Sequence, residues 1–452
     1  MYRNYYFILC LLSLALGSCQ KYLDKKPRKA LVIPTTLEEV ESLLNNENAI
    51  NMRYSAQLEA NADNYYVSTE AYLAATDLDR PVYVWGAQAN TLSTWKLYYQ
   101  FPVLYANLVL ENLDRIGFTA ANRTEWDRLK GSALFHRSFS FWDLAQLYCH
   151  PYDAATLAGP GIVLKTTTGI EETSVRSTVQ QTYDQLVNDL KTAIPLLPPR
   201  TDVLIRPTRF TAYGALARVY LSMRDYVNAG LYADSCLQDQ SALMDFNTLV
   251  PVGTPPIKRF NRETIFYARG FFTPAIVYPS AAKVDSVLYA SYDDNDLRKT
   301  VFFREAPDGG YFFRGSYDGD FRENIIFAGL AVDELLLIRS ECHARAGRLT
   351  AAMADLNTLM VNRWKNDGSF VPFEAADPGT ALAIILRERR KELLYRNLRW
   401  SDLRRLNLEG ANITLTRKVD NITYTLPPGD PRWVMLIPQE IINYSGMEQN
   451  KR

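Results

Sequence analysis

The strongest constraint on the fold of this chain is a pair of amphipathic segments separated by a tight turn, at residues 211–222 and 226–237. In both segments, apolar and small side chains recur at spacings of three and four, the period of an α-helix with one buried face. These side chains are Leu216, Ala217 and Tyr220 in the first segment and Tyr226, Ala229 and Ala233 in the second. Small residues allow two antiparallel helices to approach closely, so the pattern predicts a helical hairpin.

A similar unit returns at residues 333–363, with small residues at Ala344, Gly347, Ala351 and Ala352. Both units resemble tetratricopeptide repeats, which stack helical hairpins side by side. Because the two units are degenerate and far apart, we expect them to form a packed scaffold rather than a continuous peptide-binding groove.

Helical periodicity extends well beyond these two units. It predicts further helices at residues 36–45, 94–115, 126–148, 178–197 and 380–406. Residues 414–426 are β-prone, and residues 427–452 are mostly irregular. The predicted fold class is mainly α, with a tetratricopeptide-like helical hairpin scaffold at about residues 94–240 and 330–406 and with minor β-hairpins. No linker divides residues 37–452, so we expect a single domain.

Aromatic residues are concentrated in two stretches, at about residues 54–93 and 241–329, which are also rich in Gly, Pro, Asn and Asp. This composition predicts loop-rich excursions beside the scaffold. If such an excursion binds a sugar, it needs exposed aromatic rings for stacking and amide or carboxylate partners for the hydroxyl groups. The candidate ligand-binding residues are therefore Tyr83, Trp85, Gln88 and Asn90 in the first excursion and Phe272 and Tyr278 in the second.

An alternative role for these rings is to pack the loops onto the helices, which is how most aromatic side chains are used. Trp85 is the leading candidate for ligand contact, and residues 311–317 form a further aromatic patch. Trp95 is expected to be structural because it begins a periodic helix.

The N-terminus is typical of an export signal. Arg3 precedes an apolar run of about ten residues, which suits a signal peptide and is too short to span a bilayer. Leu16-Gly17-Ser18-Cys19 follows, and small residues before a cysteine resemble a lipobox. We expect removal of residues 1–18, lipid attachment at Cys19 and a tether at residues 19–36. The alternative is an ordinary signal peptide with an incidental cysteine.

Charge and cysteine content exclude several classes of protein. The chain has 50 basic and 50 acidic residues, and removal of residues 1–18 takes away only Arg3. This balance gives no electrostatic reason to expect nucleic acid or anionic lipid as a partner. Besides Cys19, the mature chain has Cys149, Cys236 and Cys342, so no complete set of disulfides can form. The last two lie at helical core spacing and are expected to be small buried side chains.

The sequence gives no sign of an enzyme. It has three histidines and lacks HEXXH, GXSXG and phosphate-binding loop motifs, so we predict no catalytic residue, metal or cofactor. A glycosidase-like pair of carboxylates from distant positions stays compatible with the sequence. Asp293, Asp294 and Asp296 supply enough oxygen atoms for calcium, but their spacing lacks the full loop pattern.

The most highly charged segment is residues 388–405, ERRKELLYRNLRWSDLRR. Glu392 and Arg396 are four residues apart and Arg399 and Asp402 are three apart, which are pairing distances on a helix. Apolar residues recur between the charges. We therefore expect a solvated, salt-bridged helix face above a core.

This segment resembles the C-terminal signature of the SusD/RagB family of surface nutrient-binding lipoproteins, E-R-R-x-E-L, an aromatic residue and then R-W-x-D-L-R-R. Arg396 and Asn397 depart from the family pattern, which has Glu-Gly there. Further matches follow in the expected order along the chain: Tyr22-Leu23-Asp24, Ala106-Asn107, Ala133 to Arg137, Tyr183-Asp184, Leu356-Asn357, Leu436-Ile437-Pro438 and Met447 to Asn450. Tyr292, Asp296 and Arg298 match a family segment whose role is structural, which disfavours calcium there.

The resemblance implies a tetratricopeptide-like fold with a loop-rich ligand face, anchored by lipid on the exterior of the outer membrane. It also implies a SusC-like TonB-dependent transporter as partner, which would receive an oligosaccharide or a peptide. Two alternatives remain: a surface glycan hydrolase, marked by turnover, and an outer-membrane scaffold, marked by the absence of a small ligand.

Overall fold

The structure is a computed structural model that describes residues 34–87, 89, 91–169, 173–252, 255–271, 274–278, 280–319 and 325–452. The expected signal peptide, Cys19 and most of the expected tether lie outside these ranges. Within these ranges, no helix is both long and apolar enough to cross a membrane.

Helices account for most of the regular structure. They are α1 (Leu37–Leu44), α2 (Glu47–Ile50), α3 (Gln57–Asn61), α4 (Thr69–Ala74), α5 (Asp79–Tyr83), α6 (Leu92–Tyr99), α7 (Pro102–Ile116), α8 (Arg123–Tyr148), α9 (Val179–Leu196), α10 (Arg209–Ser222), α11 (Tyr226–Leu237), α12 (Ser286–Ala290), α13 (Arg298–Val301), α14 (Val332–Arg345), α15 (Leu349–Met360), α16 (Pro378–Glu392), α17 (Arg399–Leu408) and α18 (Gln439–Ser445).

The strands are short. They are β1 (Tyr54–Ser55), β2 (Tyr65–Tyr66), β3 (Thr264–Phe266), β4 (Arg269–Phe271), β5 (Lys283–Val284), β6 (Phe303–Glu305), β7 (Tyr311–Phe313), β8 (Ile325–Phe327), β9 (Leu330–Ala331), β10 (Leu415–Val419) and β11 (Ile422–Leu426). β10 and β11 form an antiparallel hairpin within the stretch predicted to be β-prone.

The long helices stack in chain order. Each helix from α7 to α11 packs against its neighbour in sequence, and α11 packs against α14, which α15 and α16 follow. The stack thus continues directly from α11 to α14, although residues 238–331 intervene. Hairpins stacked in this way bury their faces against adjacent hairpins, as in repeat proteins. The predicted mainly α, tetratricopeptide-like scaffold is confirmed.

Small residues bring α10, α11 and α14 close together. Ala229 and Ala233 are fully buried, and a Cβ added at Gly230 would lie 3.0 Å from the Cβ of Cys342. Cys236 and Cys342 are free buried thiols, 0% and 3% exposed. The prediction that they are small buried side chains is confirmed.

Two predicted helices are each divided in the structure. Residues 94–115 form parts of α6 and α7, because Pro102 lacks an amide hydrogen and occupies the first turn of a new helix. Residues 380–406 form parts of α16 and α17, because Tyr395 and Asn397 have φ angles of 56° and 60°. A right-handed helix cannot continue through that conformation, which asparagine tolerates better than most residues other than glycine.

Strand pairing joins the two aromatic-rich excursions. β1 runs parallel to β4, with Tyr54 opposite Gly270, and β2 runs antiparallel to β5. A Cβ at Gly270 would lie 2.8 Å from the Tyr54 carbonyl oxygen, so this approach requires glycine. The 3₁₀ turn Ala275–Val277 also contacts α5. The two excursions therefore pack together beside the helices.

The charged segment at residues 388–405 is largely buried, contrary to the prediction of a solvated helix face. Arg396 does not pair with Glu392; its guanidinium binds Asp333 at 3.0 Å. Arg399 likewise binds Asp63 at 2.7 Å, on the first excursion. The helical pattern identified the charges correctly, but the partners of Arg396 and Arg399 come from distant parts of the chain.

Glu392 lies at the centre of a buried ionic network. Arg363 Nε donates to Glu392 at 2.8 Å, and Arg363 Nη2 donates to both carboxylate oxygens of Glu263 at 2.8 and 2.9 Å. Arg298 donates to Glu392 at 3.1 Å and to Asp296 at 2.7 Å. These five side chains have no exposed surface. The network joins the second excursion to α16, and it gives Asp296 the structural role implied by the family segment.

Candidate ligand-binding site

Tyr83 and Trp85, the leading sequence candidates, lie in the core at 0% and 2% exposure. The Trp85 indole donates to the Asn61 carbonyl at 3.0 Å, and the Val67 amide donates to the Tyr83 hydroxyl at 3.1 Å. The Arg417 guanidinium lies 4.5 Å from the centre of the Tyr83 ring. A sugar needs an open ring face, so the expectation of exposed rings at these two positions is wrong. Both side chains pack the first excursion against the β10–β11 hairpin.

Of the other four candidates, only Tyr278 lies among the described residues. Tyr278 is partly buried on the second excursion, where burial and the nearby Asp79 carboxylate raise the pKa of its hydroxyl. Its role in ligand contact stays a prediction. Gln88, Asn90 and Phe272 lie outside the described residues, and their roles stay predictions as well.

The aromatic patch at residues 311–317 serves mainly in packing. Tyr311 stacks on Tyr289, with ring centres 3.6 Å apart and planes 13° apart. Phe312, Phe313 and Tyr317 are buried. These rings therefore hold the second excursion together instead of presenting an open surface.

An open cleft of about 380 Å³, here called the C-terminal cleft, lies between the helical scaffold and α18. Its volume falls within the range of about 300–1,000 Å³ that is usual for small-molecule sites. It is lined by Trp95, Lys96, Tyr99, Gln100, Leu104, Asn107, Val163, Lys165, Thr167, Thr168, Gly169, Ser174, Ile441, Tyr444 and Ser445.

Two aromatic rings from α6 line the scaffold side of this cleft. Trp95 and Tyr99 are four residues apart, so both lie on the same helix face, and their ring centres are 4.6 Å apart. Trp95 is 7% exposed and meets Tyr148 edge-on at 5.2 Å. This packing confirms the structural role predicted for Trp95, while Tyr99 is only partly buried.

Hydrogen bonds fix the loop that forms the next wall. The Tyr99 hydroxyl donates to the Val163 carbonyl at 2.8 Å. The Asn107 amide on α7 donates to the Lys165 and Thr167 carbonyls at 2.9 and 3.3 Å. Asn107 is fully buried, and the two residues whose carbonyls accept these bonds are partly buried. This wall is therefore positioned before a ligand arrives.

The remaining wall is α18, which presents the ring of Tyr444 at 92% exposure. Gln449, which follows α18, binds back to Ile437, which precedes it. The Gln449 side chain accepts from the Ile437 amide at 2.9 Å and donates to the Ile437 carbonyl at 2.7 Å. The Asn450 amide donates to the Tyr148 carbonyl at the end of α8 at 3.1 Å. These contacts hold α18 against the scaffold although none of its residues is fully buried.

The lining combines aromatic surface with polar groups. Lys96 and Gln100 are exposed beside the Tyr99 ring, and Tyr444 stands on the opposite wall. Aromatic faces suit the C–H surface of a sugar, and amide and ammonium groups suit its hydroxyls. Sequence reasoning missed Tyr444 because residues 427–452 lack helical periodicity. For the scaffold side of the cleft, the sequence did contain a signal, which was the four-residue spacing of Trp95 and Tyr99 beside Gln100.

Comparisons with known proteins agree with this architecture. A family model described as "Starch-binding associating with outer membrane" matches residues 21–221, and the SusD family model matches residues 333–444. Together these segments span more than two thirds of the 452 residues. Among curated proteins, none matches the chain.

Solved structures show the same fold. A SusD superfamily protein from Bacteroides thetaiotaomicron is 20% identical, with a TM-score of 0.76 over 92% of this chain and 100% of that one. A putative sugar binding protein from Bacteroides vulgatus is 17% identical, with a TM-score of 0.73 over 93% and 99%. A SusD-like carbohydrate binding protein from Bacteroides vulgatus is 21% identical, with a TM-score of 0.68 over 91% and 97%. The chain belongs to the SusD/RagB family.

Proposed function

We propose that this chain is a cell-surface nutrient-binding lipoprotein that captures an oligosaccharide in the C-terminal cleft and passes it to a SusC-like TonB-dependent transporter. The observation that carries the proposal is a preformed cleft whose lining includes the exposed Tyr444 on α18 and Tyr99 and Gln100 on the scaffold. The family description as starch-binding and the carbohydrate-binding structural relatives support a sugar over a peptide. Transfer to a transporter rests on the family resemblance.

The chemistry of the cleft favours binding over hydrolysis. A glycosidase needs two carboxyl groups that flank the scissile bond. Among the described residues that line the C-terminal cleft are two lysines, amides, hydroxyls and aromatic rings, and none of these described lining residues is Asp, Glu or His.

Replacing Tyr444 with alanine is expected to weaken oligosaccharide binding about fivefold, because one stacked ring contributes on the order of 1 kcal/mol. The side chain is almost fully exposed, so the melting temperature is expected to stay unchanged. Isothermal titration with a glycan panel measures the binding, and chromatography of the same mixtures detects cleavage.

The matched control is Phe118→Ala, which removes another exposed aromatic ring at the far end of α7 and is expected to leave affinity unchanged. Equal affinity of the Tyr444→Ala variant and the wild type would remove the cleft from the proposal. Release of shortened glycans would instead favour a hydrolase.

Membrane attachment is proposed to depend on Cys19. Changing Cys19 to alanine removes the thiol that would carry diacylglycerol, so the variant is expected to move from the membrane fraction to the soluble fraction. Cell fractionation with immunodetection measures the distribution, and Cys149→Ala is the control that keeps the anchor. A membrane-bound Cys19→Ala variant would show that another feature attaches the protein.

A further inference from the structure

A fully buried carboxyl group without an ion pair lies in the first excursion. Glu59, on α3, has no exposed surface, and it forms no ion pair with any residue that the structure describes. The cation that acts on it, Arg399, is bound to Asp63 at 2.7 and 2.9 Å. An ionised carboxylate is costly to bury without a counter-ion, so this environment favours the neutral acid.

Two oxygen atoms at this site lack a hydrogen-bond donor. The Asn64 side-chain nitrogen donates to Glu59 Oε1 at 2.8 Å. The remaining oxygen of each side chain, Glu59 Oε2 and Asn64 Oδ1, is buried and has no partner among the described residues. When the carboxyl group is ionised, both atoms can only accept. A single proton on Glu59 converts Oε2 into a donor, and Asn64 Oδ1 is an acceptor on the amide that already binds this carboxyl group.

The segment around Glu59 connects the first excursion to three other parts of the fold. The Glu59 amide donates to Asn397 Oδ1 at 3.2 Å, in the turn between α16 and α17. The Asn64 carbonyl accepts from the Asp285 amide at 2.9 Å, on the second excursion. The Arg417 guanidinium, on β10, donates to the backbone just past α3. A change of charge at Glu59 therefore acts where these parts meet.

The groups that interact electrostatically with Glu59 keep their charge near neutral pH. Asp63 and Arg399 bind each other. Tyr65 and Tyr395 stay neutral because burial raises the pKa of both hydroxyl groups. The titratable and charged groups on the elements packed around Glu59 are Asp63, Tyr65, Asp79, Asp143, Tyr395, Arg399 and Arg417.

We propose that Glu59 is protonated in the folded protein and is a pH-sensitive latch, which holds the first excursion on the scaffold until the proton passes to solvent. The neutral acid donates from Oε2 to the Asn64 amide oxygen. Loss of the proton leaves a buried negative charge beside that oxygen and near the Asp63 carboxylate. Hydration of the charge then requires α3 to move away from α17 and β10. This inference concerns the scaffold and does not depend on the ligand.

The direction of the pH dependence follows from the burial of Glu59. Burial raises its pKa to about 7, above the usual value of 4.5 that applies to the unfolded chain. The folded protein therefore holds this proton more tightly than the unfolded chain does. The resulting stabilisation is fully present below pH 4.5 and is lost as the pH rises through 7.

The first test is infrared spectroscopy of the full-length, detergent-solubilised wild type and of the Glu59→Gln variant, whose side chain imitates the neutral acid. Asp143, on α8, is a second buried acid whose pKa burial raises to about 7, and its signal cancels because the two chains differ only at residue 59. At pH 6, the wild-type spectrum minus the variant spectrum is expected to contain the carbonyl band of a protonated carboxylic acid.

The second test is the stability of the same two proteins. Their melting temperatures are expected to agree within about 1 °C at pH 5, while at pH 8 the variant melts about 3 °C higher. At pH 8, hydrogen exchange within residues 54–66 is expected to be about tenfold faster in the wild type, because its first excursion opens more often.

The matched control is Glu70→Gln, which removes an exposed carboxyl group from the same excursion and is expected to follow the wild type within about 1 °C at both pH values. Absence of the carbonyl band would show an ionised Glu59 solvated by internal water, beside the Asn61 amide nitrogen that has no partner among the described residues, and would overturn the inference. A Glu59→Gln variant that does not fold, or one that matches the wild type at pH 8 in melting temperature or in exchange, also overturns it. The proposed function stands in each case, because none of these measurements involves a carbohydrate.

Discussion

Replacing Arg363 with methionine is expected to lower the free energy of unfolding by about 3–5 kcal/mol. The substitution keeps much of the apolar stem but removes the guanidinium that binds Glu263 and Glu392, leaving both carboxylates buried without that partner. Burial already raises the pKa of Glu263 to about 7. Urea denaturation at neutral pH, followed by circular dichroism, measures the loss.

The control is Arg123→Met, which breaks an exposed pair with Asp127 and is expected to cost less than about 1 kcal/mol. Adding Glu263→Gln to the Arg363→Met variant is expected to recover part of the stability, because it removes one of the unpaired buried charges. If Arg363→Met and Arg123→Met lose the same stability, the buried network does not hold the second excursion to the scaffold.

Replacing Trp85 with alanine is also expected to destabilise the protein by about 3–5 kcal/mol, the usual cost of deleting a large buried aromatic side chain. The indole is 2% exposed and hydrogen-bonded to the Asn61 carbonyl, so the variant leaves a cavity and an unsatisfied acceptor. Thermal unfolding measures the effect as a lower melting temperature. Ligand affinity of the folded variant is expected to stay close to that of the wild type.

The matched control in the same excursion is Leu73→Ala, which truncates a side chain that is 64% exposed. Its stability is expected to change by less than about 0.5 kcal/mol. An unchanged melting temperature for Trp85→Ala together with weaker glycan binding would restore Trp85 as a ligand-binding residue.

The helical scaffold could be predicted from the sequence because its determinants are local. The three-and-four spacing of small residues in α10 and α11 predicts both helices and their close contact. The breaks at Pro102 and Tyr395 were harder to predict. At Pro102 the proline itself was the signal, while the left-handed φ of Tyr395 is imposed by tertiary contacts rather than by residue type.

The candidate site was less predictable because exposure depends on distant packing. Trp85 lies in a loop-rich, polar sequence context that suits a ligand-binding residue. In the structure, however, the guanidinium of Arg417, on the β10–β11 hairpin far along the chain, packs over the Trp85 ring. The same limit applies to Glu392, whose partners Arg298 and Arg363 are remote in sequence. Conversely, Tyr444 is exposed on a helix of seven residues, too short to leave a periodic signal.

A crystal structure of the protein with the oligosaccharide that binds most tightly tests the central claim most directly. The account predicts sugar density across the C-terminal cleft, with one sugar ring against Tyr444. Sugar bound at Tyr278 or elsewhere on the excursions, with the C-terminal cleft empty, would contradict it.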